Sequence, residues 1–358
     1  MTIADEAFDE VRHIVDEIKG IRGTYALLRE LNSINRANVS GELLDRVMYS
    51  FEALPPLGKE YWWFLFFGND GRQMMLLIFR KFGRTMVFNG EKVSLKKIDQ
   101  SAFQAVTAGW ICDRKEMHDL GVTNPIIVAS PREKTIVSEI YDQKINLKGS
   151  FPEYELKIDG LVQLKMTEGD FLENRDAHGV FIPPFGVGWV DIYSNAEGNM
   201  LGEEFAGTAH LQKVVGVMPY GSFHWARVIF QNRSTVSFFC LKTGKDSKRY
   251  LHRSMNFYDN ETKRYIRFKK PRLEISGERG KTSTWTIKGW DKDNELRIVL
   301  EAYAEKRFTM NGGGSQVYIE YAVAPNEFSF ETKNQKITLE DLGKGVGTFE
   351  DAYGLPVF

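Results

Sequence analysis

The sequence predicts a mainly β protein: two consecutive antiparallel barrels or sandwiches behind a short N-terminal helical segment. Three observations carry this. Short apolar runs recur at regular spacing with Gly, Asn and Asp between them, the pattern of a sandwich or barrel. Aromatic residues make up 13% of the chain, with 25 Phe, 14 Tyr and 7 Trp, and planar side chains pack well on a pleated surface. Helical crossovers between the runs are missing, which disfavours a parallel α/β fold.

The elements follow in order. Phe8, Val11, Ile14, Val15 and Ile18 recur at three- and four-residue steps with Gly20 at the exit, which reads as an amphipathic helix. A second helix has Leu43, Leu44, Val47, Met48 and Phe51 on one side, Ser40 as N-cap and Pro55-Pro56 as the stop. Such helices plug a barrel end or cover a sheet edge. From Tyr61 the period becomes two. Tyr61–Phe67 and Gln73–Arg80 flank Gly68-Asn69-Asp70-Gly71 as a hairpin. Tyr154–Ile158 and Leu161–Met166 flank Asp159-Gly160, the signal of a type I′ turn. Arg227–Phe230 pairs with Val236–Leu241, and Asn256–Tyr258 with Tyr265–Phe268; Trp285–Trp290, Leu296–Tyr303 and Val317–Val323 continue the pattern. The stretch Phe171–Gly207, with Pro183-Pro184 and glycines around Phe185, reads as irregular, so the boundary between the β units falls there. The expected division is a helical segment over 1–55, a first β unit over 56–205 and a second over 206–358.

Composition excludes several classes. Of the 358 residues, 42% are hydrophobic and 27% charged, which is ordinary globular usage. A net charge of −1 supplies no global field toward nucleic acid or an anionic membrane. Cys112 and Cys240 lie far apart without CxxC spacing, and the six histidines show no HxH or HExxH spacing, so neither a disulfide scaffold nor a metal site is expected. Asn311-Gly312-Gly313-Gly314 lacks the flanking strand and helix of a phosphate loop and reads as a hairpin tip. Ser222 sits in Gly221-Ser-Phe, which is not a nucleophile elbow. The first residues, MTIADEAFDEVRH, are acidic and lack the apolar core of a signal peptide. The most apolar region, Tyr61–Phe82, is cut by a turn and cannot span a bilayer as one helix. A cytoplasmic protein without metal or cofactor is the expectation.

The most informative segment is Gly207-Thr-Ala-His-Leu-Gln-Lys-Val214 followed by Met218-Pro-Tyr-Gly-Ser-Phe-His-Trp-Ala-Arg227. Strand alternation puts His210 and Gln212 on one face and Leu211 and Lys213 on the other, with Lys213 expected in water. Phe223, Trp225 and Arg227 share a face opposite His224 and Ala226. Through Gly207, Ala209, His210, Gln212, Lys213, Pro219 and Trp225 the chain resembles the two-domain lipocalin-like superfamily of carotenoid hydratase (hydroxyneurosporene synthase), AttH-type proteins and tocopherol cyclase. The ending Gly345-Val-Gly347-Thr-Phe-Glu350-Asp-Ala-Tyr353-Gly354 resembles the close of that group's last barrel strand. The likeness of architecture spans roughly 56–358. A departure accompanies it: hydratases and cyclases usually carry a His-Asp or Asn-Trp pair where this chain has His-Leu-Gln-Lys.

The resemblance implies two lipocalin-like (calycin) barrels and a hydrophobic isoprenoid or lipid-like ligand in a pocket between or within them. Acid-catalysed hydration, cyclisation or isomerisation of an alkene needs an acid strong enough to protonate carbon and aromatic faces to hold the cation. His210 and Glu350 are the candidate catalytic groups, with Asp351, Glu203 and Glu204 as further acids. His210, Gln212, Tyr220, Phe223, His224 and Trp225 are the candidate ligand-binding residues. A non-catalytic carrier of an apolar ligand stays open beside the enzyme. So does a binder of nucleic acid or an anionic surface through Lys242–Lys281, where 13 Lys and Arg face 5 Asp and Glu, although strands that keep aromatics inward and lysines in water need no such partner.

Overall fold

The computed structural model describes residues 21–34, 39–51, 53–99, 101–113, 116–139, 144–168, 175–244, 249–276, 283–312 and 314–355. It is a mainly β chain of lipocalin-like fold, built on two antiparallel sheets. The expected helix over Phe8–Ile18 lies outside the described residues. The second helix spans Gly41–Tyr49, and the Ser40 hydroxyl accepts from Leu43 N at 3.2 Å as its cap. A further helix over residues 21–33 was not foreseen from the sequence. Among the described residues no helix is long and apolar enough to cross a membrane.

At the centre of the first sheet, Phe185–Met200, Glu203–Val217, Gly58–Gly68, Gln73–Lys81 and Val106–Cys112 lie side by side in that order. The centre of the second runs Thr235–Lys242, Ser222–Phe230, Gly345–Leu355, Ser315–Thr332 and Asn294–Asn311. The first predicted hairpin closes at Phe67 opposite Gln73. At Asp159-Gly160 the turn differs from the expected type I′. Only Gly160 has positive φ, 74°, and Leu161 N bonds Ile158 O at 3.0 Å, so a turn with the type II pattern, its glycine at the left-handed third position, joins Ile158 to Val162.

The irregular stretch expected before the second β unit is corrected. The stretch Phe171–Gly207 is not irregular over its described part but holds the strands Arg175–Ile182 and Phe185–Met200 and the start of Glu203–Val217. The glycines that suggested a loop instead make room for the helix over 21–33. A Cβ on Gly188 would stand 2.7 Å from Leu31 Cδ1, and one on Gly179 2.9 Å from Asn32 N. Glu203–Val217 pairs with both Phe185–Met200 and Gly58–Gly68, and the chain then passes through Met218–Gly221 to the second sheet.

Each sheet curls around its own apolar core, and a third core fills the seam between the sheets. The Gly41–Tyr49 helix plugs the first barrel, burying Leu43, Leu44, Val47 and Met48. Asp45 is buried on that helix, where it accepts from Tyr154 Oη and Phe151 N at 2.8 Å each and pairs with Lys134 at 2.9 Å. Asp45→Ala strands that hydroxyl and that N–H and should lower stability by about 3 kcal/mol, read by urea unfolding at constant m-value. A loss under about 0.5 kcal/mol would show that the helix seals the barrel by apolar contact alone.

Candidate functional site

The seam between the sheets is built from rows of side chains that the strand registers line up. On the first sheet Lys81, Lys59, Gly216 and Val187 form one row. The next holds Phe79, Tyr61, Val214 and Trp189, and a third Leu77, Trp63, Gln212 and Asp191. A fourth holds Met75, Leu65, His210 and Tyr193. Facing these, the second sheet sets Leu241, Phe223, Ala352, Tyr318 and Phe308 beside a row of Phe239, Trp225, Glu350, Glu320 and Lys306. The period of two commits these alternate residues to one face, so the seam is legible as soon as the registers are known.

Most of the seam is packed. Trp63 stacks on Tyr318 at 5.2 Å between ring centroids, and Trp189 meets Trp225 edge-on at 5.1 Å. A cavity remains at the Lys59 end, with about 70 Å³ open to the centres of water molecules. Lys59, Tyr61, Tyr220, Phe223, Trp225, Tyr318 and Glu350 line it. Gly216 keeps it open: a Cβ there would find its nearest neighbour 3.8 Å away, ordinary contact distance. A wider groove of about 990 Å³ lies at the opposite end, by Phe67 and Lys344, but its carboxylate, Asp70, is spent on Arg72 at 2.7 Å.

Beside the cavity a buried polar chain crosses from sheet to sheet. His210 Nε2 and Gln212 Nε2 meet Asp191 Oδ1 at 2.7 and 2.6 Å. Arg227 donates one amino group to Gln212 Oε1 at 2.6 Å and the other to Glu350, and its guanidinium lies 4.4 Å from the Trp225 ring. The Tyr318 hydroxyl donates to Glu320, which stands opposite Glu350 in the strand register.

Burial sets the charges. It would raise the Asp191 carboxyl, but the His210 hydrogen bond, the charge of Arg227 and the Gln212 bond outweigh it and hold Asp191 ionised. Burial lowers His210 against the pull of Asp191, so the ring is neutral. An ionised Asp191 then fixes the proton on Nε2 and leaves Nδ1 an acceptor, without a partner among the described residues. Burial and then the charge of Glu350 push Glu320 well above the ordinary carboxylate range. Glu350 is also raised by burial, with Arg227 opposing. Two opposed carboxyls lie near one guanidinium, which pairs with Glu350, so the pair holds a proton to higher pH than an ordinary carboxylate does.

The structure thus gathers Tyr220, Phe223, Trp225 and Glu350 at the cavity and sets His210 and Gln212 in the polar chain behind it. His224 is on the other face of its strand, inside the second barrel, with Nδ1 3.4 Å from Asp351. Lys213, expected in water, is fully buried inside the first barrel. Its amine reaches Ser50 O and Glu60 Oε1, the latter at 3.2 Å, and lies 4.3 Å from the Trp62 ring. Sequence reasoning did not single out Asp191, Glu320, Tyr318 and Lys59. A signal existed for Glu320 and Asp191, each a lone acid inside an apolar strand, in Val-Tyr-Ile-Glu-Tyr-Ala-Val and Gly-Trp-Val-Asp-Ile-Tyr.

No known family profile matches the chain, and no curated protein matches it. Solved structures do. The structure of CghA with Sch210972 aligns over 85% of this chain and 90% of its own, at 8% identity and a TM-score of 0.52. Kievitone hydratase from Nectria haematococca aligns over 86% and 94%, at 11% identity and a TM-score of 0.48. A putative AttH from Nitrosomonas europaea aligns over 83% and 92%, at 11% identity and a TM-score of 0.43. These structures belong to the carotenoid-hydratase and AttH lipocalin-like group that the two sequence patches resemble. At such identity the likeness is one of fold.

The retained proton has a stability consequence. Between the ordinary carboxylate range and the raised range of Glu320, the unfolded chain releases a proton that the folded chain keeps, so this group's contribution falls as pH rises. Glu320→Gln keeps an acceptor for Tyr318 and cannot ionise. It should gain about 1–2 kcal/mol on the wild type between pH 5 and pH 8 in urea unfolding. An offset equal at both pH values would show that the carboxyl titrates normally.

Proposed function

We propose that the protein binds an apolar small molecule of isoprenoid or lipid-like character in the seam cavity and protonates it from the Glu350–Glu320 pair. One observation carries the reading: Glu350, a buried carboxyl with a raised pKa, forms part of an otherwise aromatic cavity wall. Protonation of an alkene leaves a cation, and Trp225, Phe223 and Tyr61 bound the same space with π faces. Water capture, ring closure or proton loss from that cation gives hydration, cyclisation or isomerisation. Glu320 and Tyr318 resupply the acid, since Tyr318 contacts both carboxyls. The CghA structure holds Sch210972, a small-molecule ligand on a shared fold, which supports binding in this kind of scaffold without naming the ligand here.

The carrier reading needs the cavity and no acid, and two experiments separate it from the enzyme. Gly216→Leu places a side chain in the cavity without backbone strain. It should weaken binding of the neutral dye 1-aminoanthracene by about tenfold or more while leaving the thermal midpoint within about 3 °C. Unchanged dye binding would sink the cavity reading. Protein purified from its own host should release an apolar molecule detectable by native mass spectrometry. Returned to the wild type in heavy water, that molecule should gain deuterium at carbon, and with Glu350→Gln it should bind but gain none. Binding without deuterium gain in the wild type would leave a carrier.

A further inference from the structure

We infer that the cavity takes an apolar molecule ending in a carboxylate, whose acid group docks on Lys59 with Lys81 beside it. This rests on the proposed reading of the cavity and adds the chemistry of the ligand's polar end. Lys59 and Lys81 face each other directly across neighbouring strands, in the row that bounds the cavity. Like charges so placed repel, and among the described residues neither has an acidic partner. Lys59 is 6% exposed. Its amine donates to Met218 O and lies 4.5 Å from the Tyr220 ring. An ammonium has three N–H groups, so two remain for a ligand. The Tyr220 hydroxyl on the same cavity wall is buried and finds no partner among the described residues. Buried donors without acceptors are costly, and a carboxylate supplies both the acceptors and the missing charge.

The electrostatics agree. Burial first, and then Lys81, bring the Lys59 amine down to about 7. Burial also lowers Lys81, which is half-exposed and donates to Phe82 O at 3.0 Å. The other groups facing this end are Tyr61 on the same strand, Tyr220 on the sheet-to-sheet turn, and Gln316, Tyr318 and Glu350 on the second sheet. The tyrosines and Gln316 are uncharged at neutral pH, and Glu350 is held by Arg227. Among the described residues no anion here competes for Lys59. A bound carboxylate stabilises the ammonium, so binding takes up a proton above pH 7 and affinity falls as pH rises.

The test uses decanoate, decan-1-ol and decyl phosphate, followed by quenching of the tryptophans at the cavity. At pH 6.5 decanoate should bind about tenfold or more tightly than decanol, and the advantage should shrink about tenfold by pH 8.5. Lys59→Met should bring decanoate to the level of decanol and leave decanol unchanged, since it keeps the apolar stem and removes only the amine. Equal binding of decanoate and decanol to the wild type, or a preference that survives Lys59→Met, overturns the inference while leaving the cavity intact. Decyl phosphate binding more tightly than decanoate overturns the assignment to a carboxylate. Failure of all three probes, with 1-aminoanthracene binding unmoved by Gly216→Leu, removes the cavity reading and the inference together.

Discussion

The arrangement depends on Arg227. Its guanidinium is 1% exposed, and a cation so far from water requires polar partners. Those partners come from both sheets: Gln212, and through it Asp191, from the first, and Glu350 from the second. The two sheets therefore cannot slide relative to one another without stranding a buried charge. Apolar seam contacts such as Trp63 on Tyr318 tolerate small shifts, whereas hydrogen bonds of 2.6 Å do not. The ion chain sets the relative position of the sheets, and that position sets where the space between them is left.

That space lies between the barrels because both interiors are full. Trp285 stacks on Phe349 at 4.2 Å inside the second barrel, with Phe257 against Phe328 and Phe330 at 5.3 and 5.1 Å. Inside the first, the Gly41–Tyr49 helix and the Glu60, Arg80 and Lys213 cluster occupy the hollow that a barrel would otherwise offer. A barrel closed by its own helix and ion pairs has no room for a guest. At the Lys59 end the seam keeps room where Gly216 replaces a side chain in the row that Lys59 bounds.

How far the sequence reveals this varies with the range of the interaction. Hairpins are local, so Asp159-Gly160 and Gly68–Gly71 announced their strands, and the alternation of Phe223, Trp225 and Arg227 told which side chains face together. The same alternation separates His224 from Trp225, as the fold does. Whether a face meets water or a second sheet is not local. Lys213 was placed in water because a lysine usually is, yet its face looks into the first barrel, where Glu60 from a neighbouring strand receives it. Glycines 179 and 188 were misread for a similar reason, since the helix that lies on them is more than a hundred residues away in sequence. Glu350 was legible as an acid near the chain's end, but its pairing with Glu320 comes from the register of two strands that no spacing predicts.

The opposed carboxyls bear on the choice between carrier and enzyme. A protein that only shelters an apolar molecule gains nothing from Glu320. With Gln there, the Tyr318 hydrogen bond would survive and the repulsion with Glu350 would vanish. Retaining both carboxyls lowers stability at neutral pH, and such a cost at a cavity wall is the ordinary mark of a group kept for its chemistry. Arg227 alone could neutralise one carboxylate; a second, neutral carboxyl opposite it is what a proton donor requires. The geometry that destabilises the folded chain is therefore the geometry that would make Glu350 a recharging acid.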